Sequence, residues 1–261
     1  MAGTLKSTTE GSSMVLTLSN PEFRNALSPD IYSAGVEALN AAENNPEIRS
    51  VILTGEGSMF CAGGNLQRLQ ANRSQEHAVQ AQSIDELHNW IDSLRAFPKP
   101  IIAAVEGAAA GAGFSLALAC DMIVSANNAV FVMAYSNIAL SPDGGASWHL
   151  SRALPRQLVT ELLMCGDRVP AERLFALGVI NRLVPAGSAL AAAIEMAQGL
   201  NARAPNALES IKELINESAN NSLDQQLTSE RQHFVRNLHH VNGAEGISAF
   251  LEKRKPSYRP A

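Results

Sequence analysis

A layered α/β fold is predicted by three features of this 261-residue chain. Two short apolar runs, Ser50–Thr54 (SVILT) and Ile101–Val105 (IIAAV), read as strands covered on both faces. Each empties into a stretch with almost no side chains, Gly55 to Asn65 and Gly107 to Gly113. Behind the second lies Phe114–Cys120, apolar and good at forming helix. With 46% hydrophobic residues the chain can bury a full core, as one large domain or one domain with an appendage.

The remaining elements follow in order. Leu5–Glu10 and Met14–Leu18 alternate as strands do, with a turn at Gly11-Ser12. Asn20 to Leu27 is a loop. Ser28-Pro29-Asp30 supplies an N-cap, a first-turn proline and an acid, starting a helix that runs to about Asn44. Asn72 to Gln80 is polar and suits a mobile cover over a site. Gln82 to Arg95 places Ile84, Leu87, Ile91 and Leu94 on one helical face. Met122–Val124 and Val130–Val132 are short strands, and Ser141 to Gly145 is a third glycine-rich loop. Leu158–Met164, Ala171–Leu177 and Leu190–Leu200 are helices, with Val179–Val184 a strand between the last two. After Pro205 the character changes. Ala207–Ser218, Leu223–Leu238 and Glu245–Glu252 are helices without strands, and their apolar positions need another surface to cover them.

Composition excludes several classes. A net charge of −5 argues against a general nucleic-acid binder. Met1 to Ser13 is polar and lacks the apolar core of a signal peptide. The apolar run Gly107–Cys120 falls short of the roughly 20 residues of a membrane span. Three cysteines (Cys61, Cys120, Cys165) without metal spacing fit reduced thiols in a cytoplasm. The six histidines form no His-Glu-x-x-His, and no metal site is expected. There is no Walker P-loop, and no Gly-x-Gly-x-x-Gly fingerprint at these loops.

The two bare loops carry the chemistry. Small residues let a ligand touch the main chain, and the first N–H groups of a following helix are unpaired and partially positive. Ala62-Gly63-Gly64 and Gly111-Ala112-Gly113 would each supply one N–H to a single oxygen, an arrangement suited to a thioester enolate. Close packing of a helix on a sheet gives the same composition.

At these residues the chain resembles the crotonase family, also called the enoyl-CoA hydratase/isomerase superfamily. The resemblance rests on Asn25-Ala26-Leu27, Phe60 to Leu66 (FCAGGNL), Ile102 to Asp121, Pro142-Asp143-Gly144-Gly145, and Phe250 to Pro256. It implies a spiral of ββα units over 1–204 and a C-terminal helical trimerisation region over 205–261. It places the oxyanion-hole donors on Gly64 and Ala112, and the CoA path on Arg24, Ala26, Ala62 and Leu66. Gly63, Asn65, Gly111, Ser115 and Pro142 lie in the same motifs and join the expected substrate contacts. Phe250 and Lys253 match residues that reach the CoA of an adjacent site, although a solvated charge explains Lys253 equally well. Coenzyme A enters as part of the substrate, with no tightly bound cofactor, and the assembly is a homotrimer or a pair of trimers.

The departures from the family are informative. The two glutamates of its hydratases fall on Ser115 and Tyr135, so the paired acid–base route to hydration loses both carboxylates. Asp143 aligns with the aspartate of some isomerases, and of the 4-chlorobenzoyl-CoA dehalogenases, where it is a nucleophile. A largely apolar pocket would disfavour its charged form and suit it to carrying a proton; capping the turn before Gly144-Gly145 is the plainer role. His88 and Tyr135 fall where the dehalogenases have a histidine and a tryptophan, and a lone helical histidine is ordinarily structural. Gly113-Phe114-Ser115-Leu116-Ala117 resembles a nucleophile elbow with its last glycine changed, but the loop before it is too long for a tight strand–serine–helix turn. Cys61 reads as a small packing residue. The expected activity is a cytoplasmic acyl-CoA isomerisation or related enolate chemistry through Asp143. The alternatives are an enoyl-CoA hydratase, a ring-acyl-CoA hydrolase or dehalogenase, and a non-catalytic acyl-CoA-binding protein.

Overall fold

The computed structural model describes residues 3–259. The outermost residues of the two expected ranges, 1–2 and 260–261, lie outside the described residues, Met1 of the polar N-terminal stretch among them. In chain order the elements are β1 (Thr4–Glu10), β2 (Ser13–Ser19), α1 (Pro29–Glu43), β3 (Ser50–Gly55), α2 (Leu66–Asn72), α3 (His77–Ala96), β4 (Ile101–Val105), β5 (Ala108–Ala110), α4 (Ala112–Ala119), β6 (Met122–Ala126) and β7 (Val130–Val132). There follow α5 (Ala146–Ala153), α6 (Arg156–Cys165), β8 (Val169–Pro170), α7 (Ala171–Ala176), β9 (Arg182–Val184), α8 (Ala189–Asn201), α9 (Pro205–Ser218), α10 (Leu223–Leu238) and α11 (Val241–Leu251).

Two sheets lie side by side in the chain's path. The larger has the order β1-β2-β3-β4-β6-β9, and the smaller β5-β7-β8. Within the larger sheet β1 and β2 pair antiparallel, and every later neighbour is parallel. The chain passes from one sheet to the other repeatedly: β4 leads to β5 and β6 to β7, while Cys61, beyond β3, makes a bridge to Ala109 of β5. Each pass adds a strand to both layers before a helix returns the chain, and the repetition produces a spiral of ββα units.

Strand periodicity decides what each face meets. Val15, Ile52, Ile102, Ala104 and Val124 pack with Ala189, Ala193 and Ala197 of α8. Those alanines recur every four residues, so they form one small-residue stripe that lets the helix approach the sheet. The opposite residues, Val51, Leu53, Ala103 and Val105, join the main core with α1, α3, α4 and the smaller sheet. Glu106 ties the layers to α8: its carboxylate accepts the N–H groups of Gly187 at 3.0 Å and Ala189 at 2.8 Å, at the start of that helix.

Several expectations need correction. Ala108–Ala110 is a strand hydrogen-bonded to β7, because the small side chains fit between layers and the backbone finds partners in both directions. The polar 72–80 stretch is mostly helix, with 73–76 linking α2 to α3. The strand expected from Val179 begins at Arg182, since Val179 and Ile180 turn back onto Leu174. Ser28 holds the N-cap position of α1, but its buried hydroxyl makes no hydrogen bond. Helices α2 and α5 were not foreseen.

The helices after Pro205 begin by docking on the core. Lys212 of α9 donates to the Leu94 carbonyl at 3.1 Å and the Asp121 carboxylate at 2.9 Å, and Asn216 donates to the Arg95 carbonyl at 2.9 Å. Beyond α9 the apolar positions face outward, including Leu223, Phe234, Phe250 and Leu251. Among the described residues no helix is long and apolar enough to cross a membrane.

Candidate active site

Backbone hydrogen bonds hold the two bare loops against one another. Cys61 donates to the Ala108 carbonyl at 3.0 Å and accepts from Ala110 at 2.9 Å. Ala62 donates to the Arg24 carbonyl at 3.0 Å, and Leu27 to the Gly63 carbonyl at 2.8 Å, so the Arg24–Leu27 loop lies along Ala62–Gly64. Gly63 has φ 87°, a conformation costly for any other residue. A Cβ there would lie 2.5 Å from the Ala110 carbonyl oxygen and 3.2 Å from the Ala112 nitrogen. A side chain would therefore push the loops apart.

Between these fixed points, the N–H groups of Gly64 and Ala112 have no protein acceptor among the described residues. Ala112 opens α4, so its N–H lies at the positive end of an eight-residue helix. Two unpaired main-chain donors, adjacent and rigidly held, can bind one oxygen that gains negative charge.

The third loop brings Asp143 alongside. Tyr135 Oη donates to Asp143 Oδ1 at 2.6 Å, and Ser115 Oγ donates to the Asp143 carbonyl at 3.0 Å. A Cβ on Gly111 would be 3.7 Å from Tyr135 Cζ, so the tyrosine ring sits beside the start of α4. Burial, then the charge of Asp143 and the hydrogen bond to it, push the Tyr135 phenol far above its ordinary pKa. Tyr135 is therefore a neutral donor and Asp143 the acceptor. The carboxylate does not cap its own turn: the bond closing it runs from the Ala146 N–H to the Asp143 carbonyl at 3.2 Å. Its surroundings are also more polar than an apolar pocket, since the Tyr135 hydroxyl is directed at it.

The other expected residues distribute as follows. Ala26 is buried, while Ala62, Gly64, Asn65, Gly111 and Pro142 are half-buried around the loops, and Arg24 and Leu66 are exposed at their rim. Asn65 caps α2, accepting the Arg68 N–H at 3.1 Å. Ser115 is fully buried inside α4 and has no histidine among its hydrogen-bond partners, so no hydrolase elbow is built. His88 is exposed on α3 and lines, with Asp92, Gly145, Trp148 and His149, a cavity of about 310 Å³. Phe250, 84% exposed, and Lys253 stand at the end of α11 and make no hydrogen bond to these loops. Cys61 is buried, and burial holds its thiol up at about 12, unreactive as expected of a packing residue.

Asn25 enters the sequence reading only as part of a motif, and Tyr32 and Arg68 not at all. Asn25 has φ 57°, and its side-chain amide donates to the carbonyls of Glu56 at 3.0 Å and Met59 at 2.7 Å, joining two loops. Asparagine tolerates that conformation, which was the available signal. Tyr32 and Arg68 are polar residues on helices α1 and α2, without a periodicity to mark them as inward-facing.

The arrangement presents two unpaired main-chain donors with one carboxylate nearby. A sequence profile described as Enoyl-CoA hydratase/isomerase matches residues 8–260. The 1,2-epoxyphenylacetyl-CoA isomerase of Escherichia coli K12 is 35% identical over 246 residues, 94% of both chains, and the 2,3-dehydroadipyl-CoA hydratase of the same organism is 32% identical over 94% of both. A solved enoyl-CoA hydratase from Polaromonas sp. JS666 is 70% identical, with a TM-score of 0.98, and covers 98% of this chain and 100% of its own. The chain belongs to the enoyl-CoA hydratase/isomerase family, and it is an acyl-CoA-processing enzyme with the crotonase fold.

Proposed function

We propose that this enzyme isomerises an unsaturated or ring-bearing acyl-CoA through a thioester enolate, with Asp143 moving the proton. The observation that carries this reading is the convergence of Tyr135 and Ser115 on Asp143. In the resemblance those are the two positions of the hydratase glutamates. Here they are hydroxyls that hold a single residue, Tyr135 by its carboxylate and Ser115 by its main-chain carbonyl. Hydration needs one group to activate water and another to deliver a proton; moving a proton between two carbons needs one group that takes it and returns it. A relative 35% identical carries the name of an isomerase, which supports the reading, while others are named hydratases or dehydratases.

The N–H groups of Gly64 and Ala112 bind the thioester oxygen, and the enolate charge develops against the end of α4. Asp143 removes a proton from the carbon chain and returns it at another carbon, and Tyr135 keeps the carboxylate turned toward the chain. The core site is cytoplasmic and needs no tightly bound cofactor. Residues 205–261 form the oligomerisation region: the outward apolar faces of α10 and α11 are buried between three subunits, bringing Phe250 and Lys253 to a neighbour's CoA.

Asp143→Asn tests the reaction. Its kcat should fall roughly 100- to 10,000-fold with thioester binding retained. Full activity in Asp143→Asn overturns the assignment, and an acyl- or aryl-aspartate trapped by mass spectrometry would make Asp143 a nucleophile instead. A solution mass of one chain by light scattering would refute the trimer.

A further inference from the structure

Arg68 lies beside the site without a counter-charge. It sits in the first turn of α2, four residues after Gly64, where Asn65 fixes its N–H. The side chain runs inward to α3, and Nη1 donates to Oγ of the buried Ser83 at 2.7 Å. Its Nε is covered and has no hydrogen-bond partner. No carboxylate forms an ion pair with it among the described residues. Covering a guanidinium without an anion is unfavourable, since its donors lose water and gain nothing comparable.

Tyr32 of α1 is buried, 3% exposed. Burial holds its phenol up at about 12; the Arg68 charge acts to lower it, and the Asp143 charge to raise it. Ser83, the partner of Arg68, lies one helical turn from Leu87, whose side chain is 3.7 Å from where a Cβ on Gly144 would stand, so Arg68 and the Asp143 loop meet the same face of α3. The oxyanion donors fix the thioester end. An acyl chain that passes Asp143 and continues along this face of α3 would come next to Arg68. A hydrocarbon tail would complete the desolvation of Arg68 and leave it without a counter-charge, whereas an anionic tail would supply one.

We infer that Arg68 is a specificity residue for acyl groups ending in a carboxylate, that is, for the mono-CoA thioester of a short dicarboxylic acid, with the Tyr32 hydroxyl as a second donor. The inference rests on the proposed seating of the thioester at Gly64 and Ala112, and not on the proton-transfer role of Asp143.

The test is calorimetric binding of saturated thioesters, which need no turnover. Glutaryl-CoA and adipoyl-CoA are compared with 5-methylhexanoyl-CoA and 6-methylheptanoyl-CoA, in which an isopropyl group replaces the carboxylate. The wild-type enzyme should bind the diacid thioester at least about 10-fold more tightly for one of the chain lengths, and Arg68→Gln should reduce that ratio by about 10- to 100-fold. Arg68→Lys should keep part of it, and the ratio should shrink with added salt. Equal or tighter binding of the isopropyl partner at both lengths by the wild type overturns the inference, whether or not the variants fold. So does an unchanged ratio in folded Arg68→Gln. Asp143→Asn should retain the ratio. Turnover surviving in that variant removes the acid–base reading and leaves this one standing, while failure of every thioester to bind overturns both.

Discussion

The Tyr135 hydroxyl stands 2.6 Å from Oδ1 of Asp143, a buried donor committed to one oxygen of a half-buried carboxylate. Because burial and the adjacent charge keep the phenol protonated, the bond has a fixed direction. It ties Oδ1 and leaves Oδ2 without a hydrogen-bond partner among the described residues.

Tyr135→Phe should therefore leave the ring in place and loosen the carboxylate. A hydrogen bond to a charged group contributes about 1.5–3 kcal/mol, and losing part of that as misorientation should lower kcat roughly 10-fold. KM for the thioester should change little, because Tyr135 does not hold the thioester oxygen. A loss as large as that of Asp143→Asn would mean that the phenol itself moves a proton.

The loop behind Asp143 allows a structural test. Gly144 has φ 58°, and a Cβ there would lie 2.9 Å from the Ser115 Cβ. Gly144→Ala meets both a strained backbone and a buried side chain, and should lose about 1–3 kcal/mol of stability. Adding Ser115→Gly should restore part of the stability, and a double-mutant cycle by urea denaturation measures the coupling. Strict additivity would show that the two residues do not share this contact.

The fold was legible where physics is local. Ile101–Val105 reads as a doubly covered strand and is one, and the bare loops after it and after β3 are where main-chain N–H groups stay unpaired. Asp143 stood out because both hydratase glutamates were missing. What could not be read were relations between distant segments. Nothing in the sequence places Ser115 against the Asp143 carbonyl, 28 positions away, or turns Arg68 inward toward Ser83. Ala108–Ala110 reads as a turn in the sequence because its strand character comes from β7 and Cys61, not from its own alanines.

A pH prediction follows from His149 on α5. Burial, then the charges of Arg95 and Arg152, lower its pKa from the usual 6.5 to about 4. The two guanidiniums stack on Trp148 at 4.0 and 3.8 Å, and Asp92 and His88 line the same space. Between those two pH values the unfolded chain binds a proton at this residue and the folded chain does not. The stability contribution is complete above about pH 6.5 and is lost as pH falls toward about 4, to a total of at most about 3 kcal/mol. His149→Gln should flatten the decline in unfolding free energy between pH 7 and pH 5. An unchanged slope would assign the decline to other groups.

The oxyanion donors can be separated from the carboxylate by removing one N–H. Ala112 is the first residue of α4, a position where proline's fixed φ is compatible with the helix and where no intrahelical bond is lost. Ala112→Pro should accordingly fold, which circular dichroism and a thermal melt can verify. Loss of one such donor costs about 100- to 1000-fold in rate, because the remaining N–H must hold the developing charge alone. The loss should fall on kcat more than on KM, since the oxygen carries little charge in the bound substrate and most in the enolate. Asp143→Asn and Ala112→Pro act on the same step from opposite ends, so the double variant should lose less than the product of the single losses. Near-normal turnover by folded Ala112→Pro would remove Ala112 from the oxyanion site and leave Gly64 with a partner still to be found.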